Sequence, residues 1–545
     1  MKADGGENGM IFSFESTYDL FKTIIDELLP EVCPNLSGKP KLVFVQAGQG
    51  RKLDDGFTVI PPQNDNDGAG VAPNETTGED DSKIKSHAEN TESKDEIIPY
   101  CIPNFSDLLI MYATYDGHHA WRNDVSGSWF IQALCQEIKK SQPEEDLSSI
   151  LIDVSFSIAI NKASETFQKK QVPLKQDTLL RKIYLKSSAP DAGQSSTNND
   201  GDGTLPDILR GPDVVTETTM NDIVTDKPHM PEKKDQPNDV CLSPSDHTTE
   251  LINDSDAIQF FQSTIKAVPV GVKHQIETYT QRDSPFYNLS KGRKLALIFN
   301  HYKFYDKLLT KREGTEADVK AIKQTFERLN FTPIVLNDPT TDEVLRELEG
   351  LRNMNDLSCL ALFILSHGEE NKRDFQLNSK DGTYTLKKQI IPKLLPKVCP
   401  SLAGKPKLIF IQACAGGKID EGVHMHLVPS RTSYNTETFK GSYCIPNYSD
   451  FLVFSASSYG YVSMRNTVDG TYFIQALCDE IENAKPEDHL NSILTAVTFS
   501  TAIKRQNKIS KQVPLKQDTL LRKIYLKFNS DPQKSSTNNV PLATN

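Results

Sequence analysis

No run in this chain is apolar for long enough to cross a membrane. The longest apolar runs, such as 360–365 and 408–411, are strand length, far short of the roughly 20 residues a membrane helix needs. No basic start followed by an apolar stretch opens the sequence, so no secretory signal is expected. Cysteine is sparse: nine residues, an odd number, with no CxxC pair. That argues against a zinc site and a disulfide framework, leaves no metal or cofactor to expect, and fits reduced thiols in the cytoplasm. An excess of positive charge is missing as well. The net charge is −12, and residues 187–256 alone hold 15 acidic against 4 basic side chains. The rest is close to neutral and shows no nucleic-acid footprint. A length of 545 residues suggests two or three domains.

Self-comparison shows a duplication. QVPLKQDTLLRKIYLK occurs identically at 171–186 and 512–527. YCIPNFSD (100–107) answers YCIPNYSD (443–450), FIQALC stands at 130–135 and 473–478, and GKPKLVFVQAG (38–48) aligns with GKPKLIFIQAC (404–414). Residues from about 15 to 186 thus repeat those from about 381 to 527, and the hundred or so residues before Asp381 have no counterpart. One long period seen twice is a duplicated domain fragment. Cys33, Cys101 and Cys135 recur as Cys399, Cys444 and Cys478, which reads as small core residues. Cys414 faces Gly48 in the alignment. Residues 54–96 and 187–256 are rich in Asp, Asn, Gly, Glu and Pro and read as a disordered insert and a disordered linker, and 531–545 as a disordered tail.

In the second copy short apolar runs at 295–300, 332–337, 359–366, 407–414 and 450–456 alternate with helical patterns at 316–330, 342–352, 384–395, 470–484 and 490–504, and a last strand is expected at 523–527. Continuous apolar strands alternating with helices predict a mostly parallel sheet with helices on both faces. Such sheets bind ligands at the carboxyl ends of their strands.

Two of these runs end in reactive residues. CLALFILSHG puts His367 just past one strand, followed by Gly368, and KLIFIQACAGG puts Cys414 just past another. Either residue alone reads as structural. Together, 47 residues apart on the same sheet edge, they read as a nucleophilic thiol and the imidazole that takes its proton. The N–H groups of Gly368 and Cys414 are placed to receive an oxyanion.

SHGE (366–369) with QACAG (412–416) resembles the signature of caspases, in which QAC is followed by Arg, Gln or Gly and then Gly, with a His about 50 residues upstream. The resemblance covers roughly 291–527. It includes KREGTEAD (311–318), which supplies the pocket arginine Arg312, and MRNTVDGTYFIQ (464–475), which supplies Arg465. It implies an α/β, caspase-like three-layer αβα sandwich with a mostly parallel six-stranded sheet, plus an incomplete copy ahead of it. The implied domains are a dead copy at 1–186 and a catalytic domain at 257–530, divided into large-subunit-like (290–421) and small-subunit-like (443–527) parts. The implied activity is cleavage of protein substrates after aspartate in exposed loops, as a cytoplasmic zymogen in apoptosis. Arg312, Gln412, Arg465 and Ser463 form the substrate pocket, and the carbonyl of Thr310 holds His367. Two arginines and an amide converging on one carboxylate select Asp over Asn or Leu.

The sequence also departs from the family. Ala415 stands inside the signature, and Met464 and Val462 replace the tryptophan and aromatic residue beside the pocket arginine, which should loosen preference next to the aspartate. Residues 422–449 contain no aspartate, where caspases are cut on maturation, though Glu437 and Asp420 lie nearby. Maturation could use the glutamate or another protease, or the enzyme could work as one chain through dimerisation, which is the expectation favoured here. The first copy keeps WRN (121–123) and GSWFIQALC (127–135) but has Gly48 for the nucleophile. Its role is either a partner in an intramolecular pseudo-dimer (or an inhibitory prosegment) or a vestige. A homodimer, and contact with other caspases or inhibitor proteins, are further partners implied. The alternative reading is a non-catalytic caspase homologue that regulates active caspases by heterodimerisation. A thiol hydrolase on a flavodoxin-like sheet would leave the two arginines unexplained.

Overall fold

Among the described residues nine strands build one sheet, in the spatial order 331–337, 293–300, 357–365, 407–412, 451–455, 515–518, 174–177, 108–112 and 41–45. The first copy supplies β1 (Lys41–Val45), β2 (Leu108–Tyr112) and β3 (Leu174–Asp177). The second supplies β4 (Arg293–Asn300), β5 (Phe331–Asn337), β6 (Leu357–Leu365), β7 (Lys407–Gln412), β8 (Phe451–Ser455) and β9 (Leu515–Asp518). Five of the six strands expected of the second copy are there, the sixth strand is Leu515–Asp518 instead of 523–527, and the sheet continues into the first copy. The computed structural model describes residues 4–5, 10–12, 17–50, 52–60, 100–123, 126–164, 168–186, 276–277, 280, 282–371, 374–416, 423–425, 443–504 and 511–527.

Strands β5, β4, β6, β7 and β8 run parallel, and β9 pairs antiparallel with β8. Their apolar runs are unbroken because both faces are covered. Leu295, Leu297, Leu360, Leu362, Ile409 and Ile411 pack on one face with Val344 and Leu348 of helix α4 (Thr341–Gly350) and with Ile391 and Leu394. Ala296, Ile298, Ala361, Phe363, Leu408 and Phe410 face the other layer. That layer holds α3 (Thr315–Arg328), α5 (Tyr472–Asn483) and α6 (Leu490–Phe499). Phe363 stacks on Phe410 at 4.8 Å and Phe326 of α3 meets Phe363 edge-on at 4.9 Å. Truncating Phe363, fully buried, would cost about 3–5 kcal/mol. In the first copy α1 (Trp129–Lys140) and α2 (Leu147–Asn161) cover β2 in the same way.

The two copies join through β3 and β9, antiparallel, with Lys175 opposite Asp518, Gln176 opposite Gln517, and Asp177 opposite Lys516. Gln176 and Gln517 are equivalent residues, so a local two-fold axis passes through that pair. Lys175–Asp518 (3.1 Å) and Lys516–Asp177 (3.3 Å) are its symmetric ion pairs, all four side chains at most 3 % exposed. They meet as charges more than as well-aligned hydrogen bonds. The longest identical stretch of the duplication is therefore one that packs against itself. Away from the axis, Phe57–Ile60 pairs with Tyr443–Ile445, and Tyr100–Ile102 with Val423–Met425, so each copy's connector strand is held by the other copy. The buried Asp54 carboxylate accepts from Asn447 N (3.0 and 3.1 Å) and Nδ2 (2.8 Å).

Several expectations need correction. The final strand is Leu515–Asp518, and 523–527 is not a strand. The insert expected to be disordered from 54 is structured through Ile60, because Asp54 and the strand after it are claimed by the second copy. Most of it, with the 187–256 linker, the 531–545 tail, Asp420 and Glu437, lies outside the described residues. The repeat begins earlier than residue 15: a sheet of Asp4–Gly5, Met10–Phe12 and Thr17–Asp19 parallels that of Gly368–Asn371, Asp374–Asn378 and Thr383–Thr385. The helical pattern at 384–395 is a π-helical turn (Leu386–Ile390) and a short helix (Ile391–Leu394). Cys399 and Cys478 are core residues, but Cys33 and Cys444 are half-buried and Cys135 is exposed. Cys101 carries no described side chain.

Candidate active site

Strands β6 and β7 are parallel neighbours with Leu365 in register with Gln412. Equal steps beyond that pair bring His367 and Cys414 out side by side at the carboxyl edge. The ladder continues one step as Ser366 N donates to Gln412 O at 3.0 Å. A methyl group on Gly368 would sit 3.0 Å from Gln376 O, 3.1 Å from Ala413 Cβ and 3.2 Å from Cys414 O. The absence of a side chain there is what lets the two strand ends come together.

His367 is half-buried, and its Nε2 lies 2.8 Å from Thr310 O. A carbonyl only accepts, so Nε2 carries the hydrogen and Nδ1 keeps its lone pair. The Phe304 ring packs at 5.2 Å. Burial lowers the imidazole's pKa, and the charges of Arg312 and Arg465 lower it further, against the Thr310 carbonyl, which raises it. The group is thus a neutral base near pH 7. Cys414, also half-buried, accepts from Ser463 N at 3.4 Å through its sulfur, which lies 3.7 Å from Ser463 Oγ.

Arg312 is 1 % exposed, with Nη1 donating to His301 O (3.2 Å) and Thr315 Oγ1 (3.0 Å). Its pKa falls to about 10, through burial first and then the positive charge of Arg465. Arg465 arrives on a two-residue strand, Arg465–Asn466, paired with Gly470–Thr471. That hairpin is seated by two glycines at positive φ. Gly314 (φ 86°) begins α3, and a Cβ there would lie 2.5 Å from Asn466 O; at Gly470 (φ 89°) it would lie 2.4 Å from Asp318 Oδ1. Buried Asp318 accepts from Thr471 N (2.8 Å) and Gln475 Nε2 (3.1 Å). Gln412, 3 % exposed, donates from Nε2 to Ser463 Oγ (3.0 Å), and its Oε1 has no hydrogen-bond partner among the described residues.

All the candidates from the sequence thus stand on one edge: His367, Gly368 and Cys414 on the strand ends, and Arg312, Gln412, Ser463 and Arg465 around them. Two arginines whose charges oppose each other are poised for an anion, which would relieve their repulsion. The sequence reading missed the supports, Thr315 and Asp318, both within KREGTEAD, and Phe304 on the imidazole. The first copy has Gln46 and Arg122 in the places of Gln412 and Arg465, but Gly48 supplies no nucleophile. Among the described residues no group of His, Cys, Asp and Glu could hold a metal ion, and no helix is long and apolar enough to cross a membrane.

The family model described as "Caspase domain" matches residues 4–184 and 293–525. Caspase drICE of Drosophila melanogaster is 38 % identical over 231 residues, 42 % of this chain and 65 % of that protein. Caspase-1 of Spodoptera frugiperda is 35 % identical over 225 residues, 41 % of this chain and 72 % of that protein. Caspase-8 of Mus musculus is 31 % identical over 258 residues, 45 % of this chain and 53 % of that protein. The crystal structure of Caspase-1 from Spodoptera frugiperda aligns with 32 % identity over 45 % of this chain and 97 % of that one, with a TM-score of 0.40.

Proposed function

Because the chain belongs to the caspase family, we propose that it is an active cysteine endopeptidase cutting proteins after aspartate, and that it works uncut, with its own first copy as dimer partner. The observation that carries the first part is the buried Arg312 beside Arg465, next to the strand ends bearing His367 and Cys414. A substrate aspartate entering there gives the two guanidinium groups a shared counter-charge. Its carbonyl carbon is then attacked by the Cys414 sulfur while His367 Nδ1 takes the thiol proton. The N–H groups of Gly368 and Cys414 hold the oxyanion. Collapse expels the amine, which takes the proton from His367, and leaves a thioester. Water, deprotonated by the same imidazole, hydrolyses the thioester and frees the thiol.

The second part is supported by the occupied edge. Strand β9, the strand that an outside partner would need, is already paired with β3. Both ends of the aspartate-free connector are paired with the first copy, at Val423–Met425 and Tyr443–Ile445. This favours the pseudo-dimer over a vestige, and leaves the regulatory-homologue reading without a free β9 edge. The large-like (290–421) and small-like (443–527) parts, a cytoplasmic setting and a role in programmed cell death belong to the same proposal. The test is hydrolysis of fluorogenic tetrapeptides ending in Asp, Glu or Arg by the full chain, with Cys414→Ala as control. Thiol-dependent turnover of the Asp peptide is expected. No turnover of any peptide would favour the non-catalytic reading.

A further inference from the structure

In an interface with two-fold symmetry, residues near the axis meet their own equivalents. Here the equivalents differ at the places that matter. PEEDLSSIL (143–151) aligns with PEDHLNSIL (486–494), making Asp146 and His489 counterparts. They stand at the N-termini of α2 and α6 and touch: His489 Nε2 is 3.2 Å from Asp146 Oδ2, and both are buried. Asp146 also accepts from Ser149 N (3.2 Å) and Ser149 Oγ (2.9 Å), capping α2. His489 gives its own helix no cap, and its Nε2 lies within 3.0–3.1 Å of Ser492 Oγ and Ser149 Oγ. A carboxylate accepts and an imidazole N–H donates, so the unlike pair matches. Two first copies would bury carboxylate against carboxylate. Two second copies would set His489 against His489, with no carboxylate to receive the N–H.

Two more contacts follow the same rule. Lys387 Nζ of the second copy meets Asp116 Oδ2 of the first at 2.9 Å. The second copy's counterpart of Asp116 is Tyr459, so a pair of second copies would leave this half-buried ammonium without the Asp116 carboxylate. Tyr115 stacks on Tyr448 at 4.3 Å, and its counterpart is Ser458. By contrast, the strand-to-strand ion pairs would re-form between two second copies, because 171–186 and 512–527 are identical. The strand supplies the pairing, and these flanking residues supply the choice.

We propose that the dimer edge of the catalytic copy selects an unlike partner, a unit with carboxylates at the positions of Asp116 and Asp146, and so takes its own first copy rather than the catalytic copy of a second chain. The reading does not depend on catalysis. Sedimentation velocity of the full chain over a wide concentration series, together with melting midpoints, tests it on wild type, Asp146→His, His489→Asp and the swap Asp146→His/His489→Asp. The wild type and the swap should sediment as a 60.9 kDa monomer throughout. Asp146→His removes this contact's share of the preference, since His then faces His in either pairing, while Lys387–Asp116 and Tyr115–Tyr448 remain. Its dimer should form at least about tenfold more readily, the smallest effect of losing a hydrogen bond to a charged group. His489→Asp should melt lower, and the swap should recover most of that loss. The proposal is overturned if Asp146→His stays as monomeric as wild type, or if the swap melts at the sum of the two single losses. Should Asp146→His not fold, recovery in the swap alone supports it and failure in the swap overturns it.

Discussion

Replacing Arg312 by Gln should separate activity from stability, because the guanidinium is a burden on the empty fold and an asset only with substrate bound. Its pKa falls from 12.5 to about 10, which weighs about 3 kcal/mol against the charged form in the folded protein. Arg312→Gln lifts that burden and the repulsion with Arg465. It gives up hydrogen bonds to His301 O and Thr315 Oγ1, each worth about 1 kcal/mol net. With about 3 kcal/mol lifted and about 2 given up, the empty protein should be at least as stable as wild type. With an aspartate in the pocket the sign reverses. Two charge-assisted hydrogen bonds at about 1.5–3 kcal/mol each disappear, so kcat/KM on an Asp peptide should drop by about 10² to 10⁴. Steady-state kinetics on matched Asp and Asn peptides, with melting curves of the same preparations, measure both. Retention of Asp cleavage within about tenfold of wild type, or an activity loss matched by a parallel loss of stability, would refute the reasoning.

The acid limb of kcat/KM should have its midpoint below the ordinary histidine value of about 6.5. Burial and the two arginines lower the pKa of His367, so it stays a neutral base as pH falls through 6.5; a midpoint at or above that value contradicts the assignment. Gly368→Ala should cut kcat by at least about tenfold, because its methyl pushes apart strand ends whose placement matters on the 1 Å scale. Its melting midpoint should move little, and equal losses of fold and rate would count against a positioning role. Asp518→Asn leaves the Lys175 ammonium buried without its counter-charge and should cost about 3–5 kcal/mol in denaturant titration. Lys175→Met/Asp518→Leu should recover most of it, and a double variant as unstable as the single would contradict the account.

The parallel half of the sheet was legible because its strands are apolar on both faces, and that pattern survives without knowledge of what covers them. The β3–β9 seam was not. Leu515–Asp518 reads LKQD, half of it charged, while KIYLK at 523–527 looks more like a strand. The charged residues are tolerated in the sheet because Lys516 and Asp518 find Asp177 and Lys175 on the other copy, a partnership that no local window contains. Asp54 misled for the same reason: its neighbours are polar, but its partner, Asn447, is hundreds of residues away. His367 and Cys414 could be found because each ends an apolar run. Arg312 and Arg465 could be placed only through motif resemblance, since nothing local distinguishes a buried pocket arginine from a surface one. Asp318, which seats the Arg465 hairpin, lay inside a quoted motif, yet a carboxylate on a helix reads as solvent-facing until the fold shows it buried.

The central claim is that one uncut chain is a complete enzyme, its first copy serving as the dimer partner of its second. The most direct test is the specific activity of the full-length chain on an Asp-ended peptide across a dilution series, with gel analysis of the same samples and Cys414→Ala as the blank. The account predicts that activity per chain stays constant on dilution while the chain remains intact. Activity that falls with dilution, or that arises only as cut fragments accumulate, would contradict it.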